Sequence, residues 1–198
     1  MCGRIEFTLS ERMHHTLRDT FQIDAAWPKQ PEISPTQQTV FLTREDAWTV
    51  HTGRWGLVPP GMDLQTARKY ATFNARIETV ERSKSFKDAF RAGGRCVLPL
   101  SAFFEWPNKS KVRIARPDNR PLIAAGLWSQ QDTPDGPLVS CTVMTRPPTK
   151  DLTEIHDRMP ALLLTKDLDA WLQATPAEAK AVATGSWRPG LLTVAAAS

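Results

Sequence analysis

The longest uninterrupted apolar stretch in this sequence, residues 122–128, has only seven residues and contains Gly126. A helix crossing a bilayer needs about 20, so no helical membrane span is expected. Short β-branched and aromatic runs, punctuated by 16 prolines, suit buried strands instead. Residues 39–43 and 47–51 flank the charged turn 44–46 and predict a hairpin. Further strands are predicted over 95–100, 103–106, 111–115, 122–128 and 138–144, with turns at 117–119 and 134–137. Residues 55–61 are an apolar segment ending in a turn, and Pro28, Pro31 and Pro35 break regular structure across a loop. A helix is predicted over 8–21, with Ser10 as N-cap and Met13, Leu17 and Phe21 at four-residue spacing. Three more are predicted: a short basic one over 79–92 with Phe86 and Phe90 inward, and two at 167–173 and 176–183. Strands in the middle with helices at the ends and crossings make an α+β domain around antiparallel sheet. No repeat or linker divides the 198 residues, so one domain spanning 1–198 is expected. With 41% hydrophobic and 23% charged residues, a disordered or fibrous chain is excluded.

Net charge is +4, compatible with an anionic partner without naming one. Its distribution is uneven. Residues 82–95 (Arg82, Lys84, Lys87, Arg91 and Arg95 against Asp88) carry +4, as do residues 109–120, and the remainder sums to −4. Either stretch reads as a phosphate-binding stripe or as a solvated face. Three cysteines are too few for a disulfide scaffold, and no Cys/His spacing suggests zinc. Free thiols and no apolar segment after Met1 point to a reducing cytoplasm.

Four residues combine reactivity with unusual surroundings. Cys2 follows Met1, and methionine aminopeptidases remove Met1 before a small side chain, so the mature chain is expected to begin at Cys2. A terminal cysteine carries a thiol of pKa about 8.5 and an α-amine of about 7.7–8.0 on one carbon. That 1,2-aminothiol condenses with an aldehyde to an imine and then closes a thiazolidine ring. Equally, Cys2 reads as a small buried residue of a first strand. Glu105, between Phe104 and Trp106, either alternates outward or is buried with its pKa raised for acid/base work. His156, amid Glu154, Asp157 and Arg158, is either structural or a proton shuttle. Asn74 either satisfies a turn or meets a polar ligand, sharing a face with Arg76 if the segment is extended.

In order along the chain stand Met-Cys-Gly-Arg (1–4), Trp-Gly-Leu-Val-Pro (55–59), Phe-Asn-Ala-Arg-Ile-Glu-Thr (73–79) and Arg-Cys-Val-Leu-Pro-Leu-Ser-Ala-Phe-Phe-Glu-Trp (95–106). Ala-Gly-Leu-Trp (125–128), Thr-Val-Met-Thr (142–145) and Ile-His-Asp-Arg-Met-Pro (155–160) follow. This joint pattern, from residue 1 to about 175, resembles the SRAP family, the SOS-response-associated abasic-site processing proteins first thought to be peptidases. The resemblance implies a single α+β domain whose β-rich, barrel-like antiparallel core is flanked by helices, with a basic groove for single-stranded DNA. It implies that Cys2 forms a thiazolidine with the ring-opened aldehyde of an abasic site, shielding the lesion from strand cleavage. Asn74 would hold Cys2 and the opened sugar, Glu105 would promote ring opening, and His156 would act at the imine stage and on reversal. Arg4, Arg76 and Arg158 would line the DNA groove and Pro35 would abut the lesion. Lys84, in the first basic stretch, joins them as an expected DNA contact.

Three departures from the family pattern stand out. Residues 31–35 read Pro-Glu-Ile-Ser-Pro where the family usually has Tyr-Asn-Val/Ile-Ala-Pro, so Glu32 replaces an amide. Gly61 and Met62 stand where the family places one or two base-wedging tryptophans, and methionine stacks less well. After residue 187 the tail is shorter than the family's. The expected partner is therefore single-stranded DNA with abasic sites, met by a monomer near the nucleoid with no metal or organic cofactor. Rival readings use the same residues. These are a class II amidotransferase built on Cys2, a thiol peptidase using Cys2, Glu105 and His156, and a non-covalent single-strand binder.

Overall fold

The structure, a computed structural model, describes residues 2–197. The chain opens with β1 (Ile5–Phe7) and α1 (Glu11–Phe21), and the Ser10 side chain accepts from Met13 N. Met13, Leu17 and Phe21 are buried on one side of α1, each worth about 1.5–3 kcal/mol of apolar transfer. Next comes β2 (Gln30–Ile33), which pairs antiparallel with β1. The proline loop is thus partly a strand. Pro31 is tolerated because β2 is the sheet's edge, where a missing N–H costs no ladder bond.

The expected hairpin is present as β3 (Gln38–Arg44) and β4 (Trp48–Trp55). Beyond it lie the one-turn α2 (Leu64–Ala67) and β5 (Asn74–Arg76). The basic helix over 79–92 does not form as read: only α3 (Lys87–Arg91) is helical, and residues 77–82 run through turns. Ile77 N donates to Thr145 O, Ser83 N bonds back to Thr79 and Val80, and Arg91 donates to Glu81 O, so local bonds hold turns where spacing alone suggested helix. Phe86 and Phe90 still face inward.

Five strands close a barrel. These are β3, β4, β6 (Arg95–Leu100), β9 (Leu122–Thr133) and β10 (Gly136–Arg146), joined in the ring β4–β3–β6–β9–β10–β4. Closure makes the barrel mixed, because β10 runs parallel to β4 and, further along, to β5. The other ladders are antiparallel. Gly126 on β9 is needed where walls converge: a Cβ there would stand 2.3 Å from Leu98 Cδ1 and 2.8 Å from Thr142 O.

A second sheet packs beside the barrel in the order β13–β8–β7–β1–β2, using β7 (Ala102–Glu105), β8 (Val112–Ala115) and β13 (Thr193–Ala196). Two short strands, β11 (Met159–Pro160) and β12 (Leu162–Leu163), extend the barrel sheet. Both expected terminal helices form, as α4 (Leu168–Gln173) and α5 (Pro176–Gly185), the latter with a Thr175/Glu178 capping box. Trp171 on α4 donates its indole N–H to Cys96 O on β6, covering that strand's outer side. Cys96 and Cys141 are buried, free thiols in β6 and β10. No helix among the described residues is long and apolar enough to cross a membrane.

Candidate active site

The second sheet brings Cys2 to Glu105. The antiparallel register Ile5↔Phe103 continues through a Phe104 N–Arg4 O bond of 3.0 Å, so the residues before β1 run alongside the end of β7. All four β7 residues are buried, and Glu105, 3% exposed, has no outward face to take. Burial pushes its carboxyl up to about 7, and the nearby Asp157 charge adds to the rise. Cys2 is 0% exposed. Burial first, and then the Glu105 charge, hold its thiol far above the ordinary range. The thiol donates to Arg4 O at 3.7 Å.

From the other side β5 supplies Asn74, placed by its parallel pairing with Val143 of β10. Asn74 Nδ2 donates to Cys2 O at 2.7 Å, tying barrel to second sheet. Its Oδ1 is buried and has no hydrogen-bond partner among the described residues, an acceptor oriented by the amide's other half.

The turn before β11 brings His156, whose Nε2 stands 3.9 Å from Glu105 Oε2. That gap is too long for a direct bond and leaves room for a bridging atom. Burial lowers the imidazole pKa. Two contacts at Nδ1 suit opposite protonation states. Arg158 N–H donates to it at 3.0 Å when Nδ1 carries no proton, and Asp157 Oδ1, 2.7 Å away, accepts from it when Nδ1 carries one. Among the described residues no group of three His, Cys, Asp or Glu is placed to hold a metal ion.

The family model for SOS response associated peptidase (SRAP) matches residues 1–191. The chain belongs to the SRAP family. Abasic site processing protein YoqW of Bacillus subtilis (strain 168) is 32% identical over 185 residues, covering 87% of this chain and 80% of that one. Abasic site processing protein HMCES of Xenopus tropicalis is 32% identical, covering 82% and 63%. Among solved structures, a Bordetella bronchiseptica protein superposes with a TM-score of 0.86 at 25% identity over all of both chains. One from Bacteroides thetaiotaomicron gives 0.84 at 20%, covering 100% of this chain and 92% of that one, a likeness of fold.

In this SRAP chain the remaining expected site residues are placed unevenly. Arg76, two residues after Asn74 on β5, is exposed. Pro35 sits half-buried in the turn after β2, before Thr36 at φ +78°. Arg4 bonds to Ser34 Oγ and pairs with Glu32 at 3.3 Å, and Glu32 also holds Lys111 at 2.8 Å. The Arg158 guanidinium is committed inward. It grips Glu78 with two bonds of 2.6 and 2.9 Å and donates to Thr145 O at 2.7 Å, while its backbone N–H steadies His156. Lys84 is exposed in the turns before α3 and joins none of these contacts among the described residues. Met1, whose removal the sequence suggested, lies outside the described residues. Sequence reading singled out neither Glu78 as the anchor of Arg158 nor Asp157 as the partner of His156. The second adjoins His156 in the quoted motif; the first is 80 residues from its partner.

Proposed function

We propose that this protein senses abasic sites in single-stranded DNA and captures them covalently through Cys2 once Met1 is removed, acting as one domain over 1–198. The observation that carries the reading is the convergence of Cys2, Asn74 and Glu105 at one buried point, with His156 beside the carboxyl. Support comes from family membership and from relatives named abasic site processing proteins.

The chemistry follows from the groups present. An abasic sugar is mostly a closed hemiacetal, so an acid must protonate the ring oxygen and a base must take the hydroxyl proton before an aldehyde exists. Glu105, poised near neutrality, and neutral His156 suit those roles. The Cys2 amine then adds to the aldehyde carbon, and loss of water gives the imine. Sulfur closes onto the imine carbon while its proton passes to the nitrogen, which becomes the secondary amine of a thiazolidine. One water leaves in all, and nothing is oxidised or reduced. With Met1 attached the nitrogen would be an amide and could not begin.

A thiol peptidase needs a thiolate. Burial keeps the Cys2 thiol protonated, which supports capture led by the amine over attack led by sulfur. The test compares wild type with Cys2→Ala, both lacking Met1, on a single-stranded oligonucleotide bearing one abasic site. Wild type should give a heat-stable adduct on a denaturing gel. Cys2→Ala should give none without borohydride, since its amine forms only a reducible imine, yet should still bind DNA. An equally heat-stable adduct from Cys2→Ala without reductant would refute the role of the thiol.

A further inference from the structure

Resting on that reading of the reaction, we propose that Asp157 is a positioning residue: it accepts the Nδ1 proton of His156 and so leaves the lone pair of Nε2, the nitrogen on the Glu105 side, to act as the base. A neutral imidazole has two ring nitrogens and one proton between them. Nε2 stands 3.9 Å from Glu105 Oε2, and so faces the reacting groups. Only the tautomer with its proton on Nδ1 can take a proton at Nε2. What touches Nδ1 therefore decides what Nε2 can do.

Two groups compete for Nδ1. The Arg158 backbone N–H, 3.0 Å away, favours a bare Nδ1 and puts the proton on Nε2. Asp157 Oδ1, 2.7 Å away, favours a protonated Nδ1. The two bonds exclude each other, because one ring nitrogen cannot accept and donate at once. A hydrogen bond to an ionised acceptor is roughly twice as strong as one between neutral groups, and the shorter contact is the carboxylate's. Asp157 also serves both states of a base, since neutral His156 with its proton on Nδ1 and the imidazolium donate to it alike. The amide serves only the tautomer that has no lone pair at Nε2.

The protons balance through opening of the sugar ring. Glu105 gives its proton to the ring oxygen as the carbon–oxygen bond breaks, and Nε2 takes the hydroxyl proton as the carbonyl forms. An imidazolium then faces a carboxylate, and a water relaying the proton from Nε2 to Glu105 across their gap restores both groups. Throughout, the Nδ1 proton stays bonded to Asp157. The charged and titratable groups around this pair are Glu105 on β7, Cys2 before β1, and Asp157 and Arg158 in the turn of His156 itself. Asp157 acts on both partners. Burial lowers the imidazole pKa and the Asp157 charge opposes that fall; burial raises the Glu105 carboxyl and the same charge adds to the rise. Removing Asp157 moves both downward.

The test uses the full chain lacking Met1, with its histidine rings labelled with nitrogen-15, and reads the tautomer of neutral His156 by NMR; loss of the signals in His156→Gln assigns them. Wild type should carry the proton on Nδ1, and Asp157→Ala should carry it on Nε2. The Asp157 side chain is 81% exposed, so its removal should leave the fold intact. On an abasic single strand Asp157→Ala should form adduct at least tenfold more slowly. Its rate should also peak at lower pH than wild type's, because both limbs of the profile move down, and Asp157→Glu should recover most of the rate. Glu154→Ala removes an exposed carboxylate three residues away and should leave tautomer and profile unchanged. A proton on Nε2 in wild type, a wild-type tautomer and pH profile in Asp157→Ala, or the same changes in Glu154→Ala would overturn the proposal. The spectra need no DNA, so a wild type that holds the Nδ1 proton yet forms no adduct counts against covalent capture and leaves the hold of Asp157 on the ring established.

Discussion

Burial holds the Cys2 thiol protonated and pushes Glu105 up to about 7, while the His156 imidazole moves the other way. The group that could give a proton and the group that could take one are thus both useful near neutral pH. An acid role for Glu105 requires its protonated form, so the rate of adduct formation should fall as pH rises above about 7. In Glu105→Gln the rate should be at least tenfold lower and that alkaline limb absent. Stability supplies a second readout. The folded value lies above the ordinary 4.5, so between about 4.5 and 7 the native state keeps a proton that the unfolded chain releases. Stability from this group is present below that window and is lost as pH rises through it. Glu105→Gln should therefore gain on wild type in denaturant titrations from pH 4.5 to 7, and parallel curves would show that Glu105 is not buried as a carboxyl. What sequence left open at Glu105 and Asn74 was direction. Alternation along a strand cannot tell an inward carboxylate from an outward one when both faces of β7 are covered.

Among the elements, those with strong local signals were legible: α1 through Ser10 and its apolar spacing, the β3–β4 hairpin, and the apolar runs of β6 and β9. Elements whose strand pairing comes from distant partners were not. β5 and β11 are two or three residues long and exist because β10 pairs with both; β2 carries Pro31 and is strand only by pairing with β1. The expected helix over 79–92 failed for a related reason, since a Phe86–Phe90 repeat is equally served by a turn followed by a short helix. Barrel closure gives the element-level prediction. Gly126→Ala forces a methyl against Thr142 O and between Leu98 and Cys96, and overpacking of this kind should cost about 1–3 kcal/mol. An unfolding midpoint unchanged from wild type would show that β9 has room to spare.

Across the whole molecule the charge pattern resolves once partners are visible. Of the second basic stretch, Lys111, Arg113, Arg116 and Arg120 pair with Glu32, Glu6 and Asp118, so much of its +4 is spent inside the fold. In the first, Arg91 and Arg95 donate to backbone carbonyls. Those carbonyl bonds leave both charges without a counter-ion, and Arg82, Lys84 and Lys87 have no carboxylate within ion-pair distance among the described residues, so only the second stripe is neutralised inside the fold. Unneutralised cations also gather beside Pro35, on residues 54, 68 and 69, the first of them 14 residues from the adjacent pair. The account's central claim is that Cys2, through both amine and thiol, captures an aldehyde on DNA. Its most direct test is the intact mass of the species formed, without reductant, from Met1-free protein and an abasic single strand. Protein plus oligonucleotide less one water, unchanged by later borohydride treatment, is the predicted result; no adduct, or one detectable only after reduction, would contradict it.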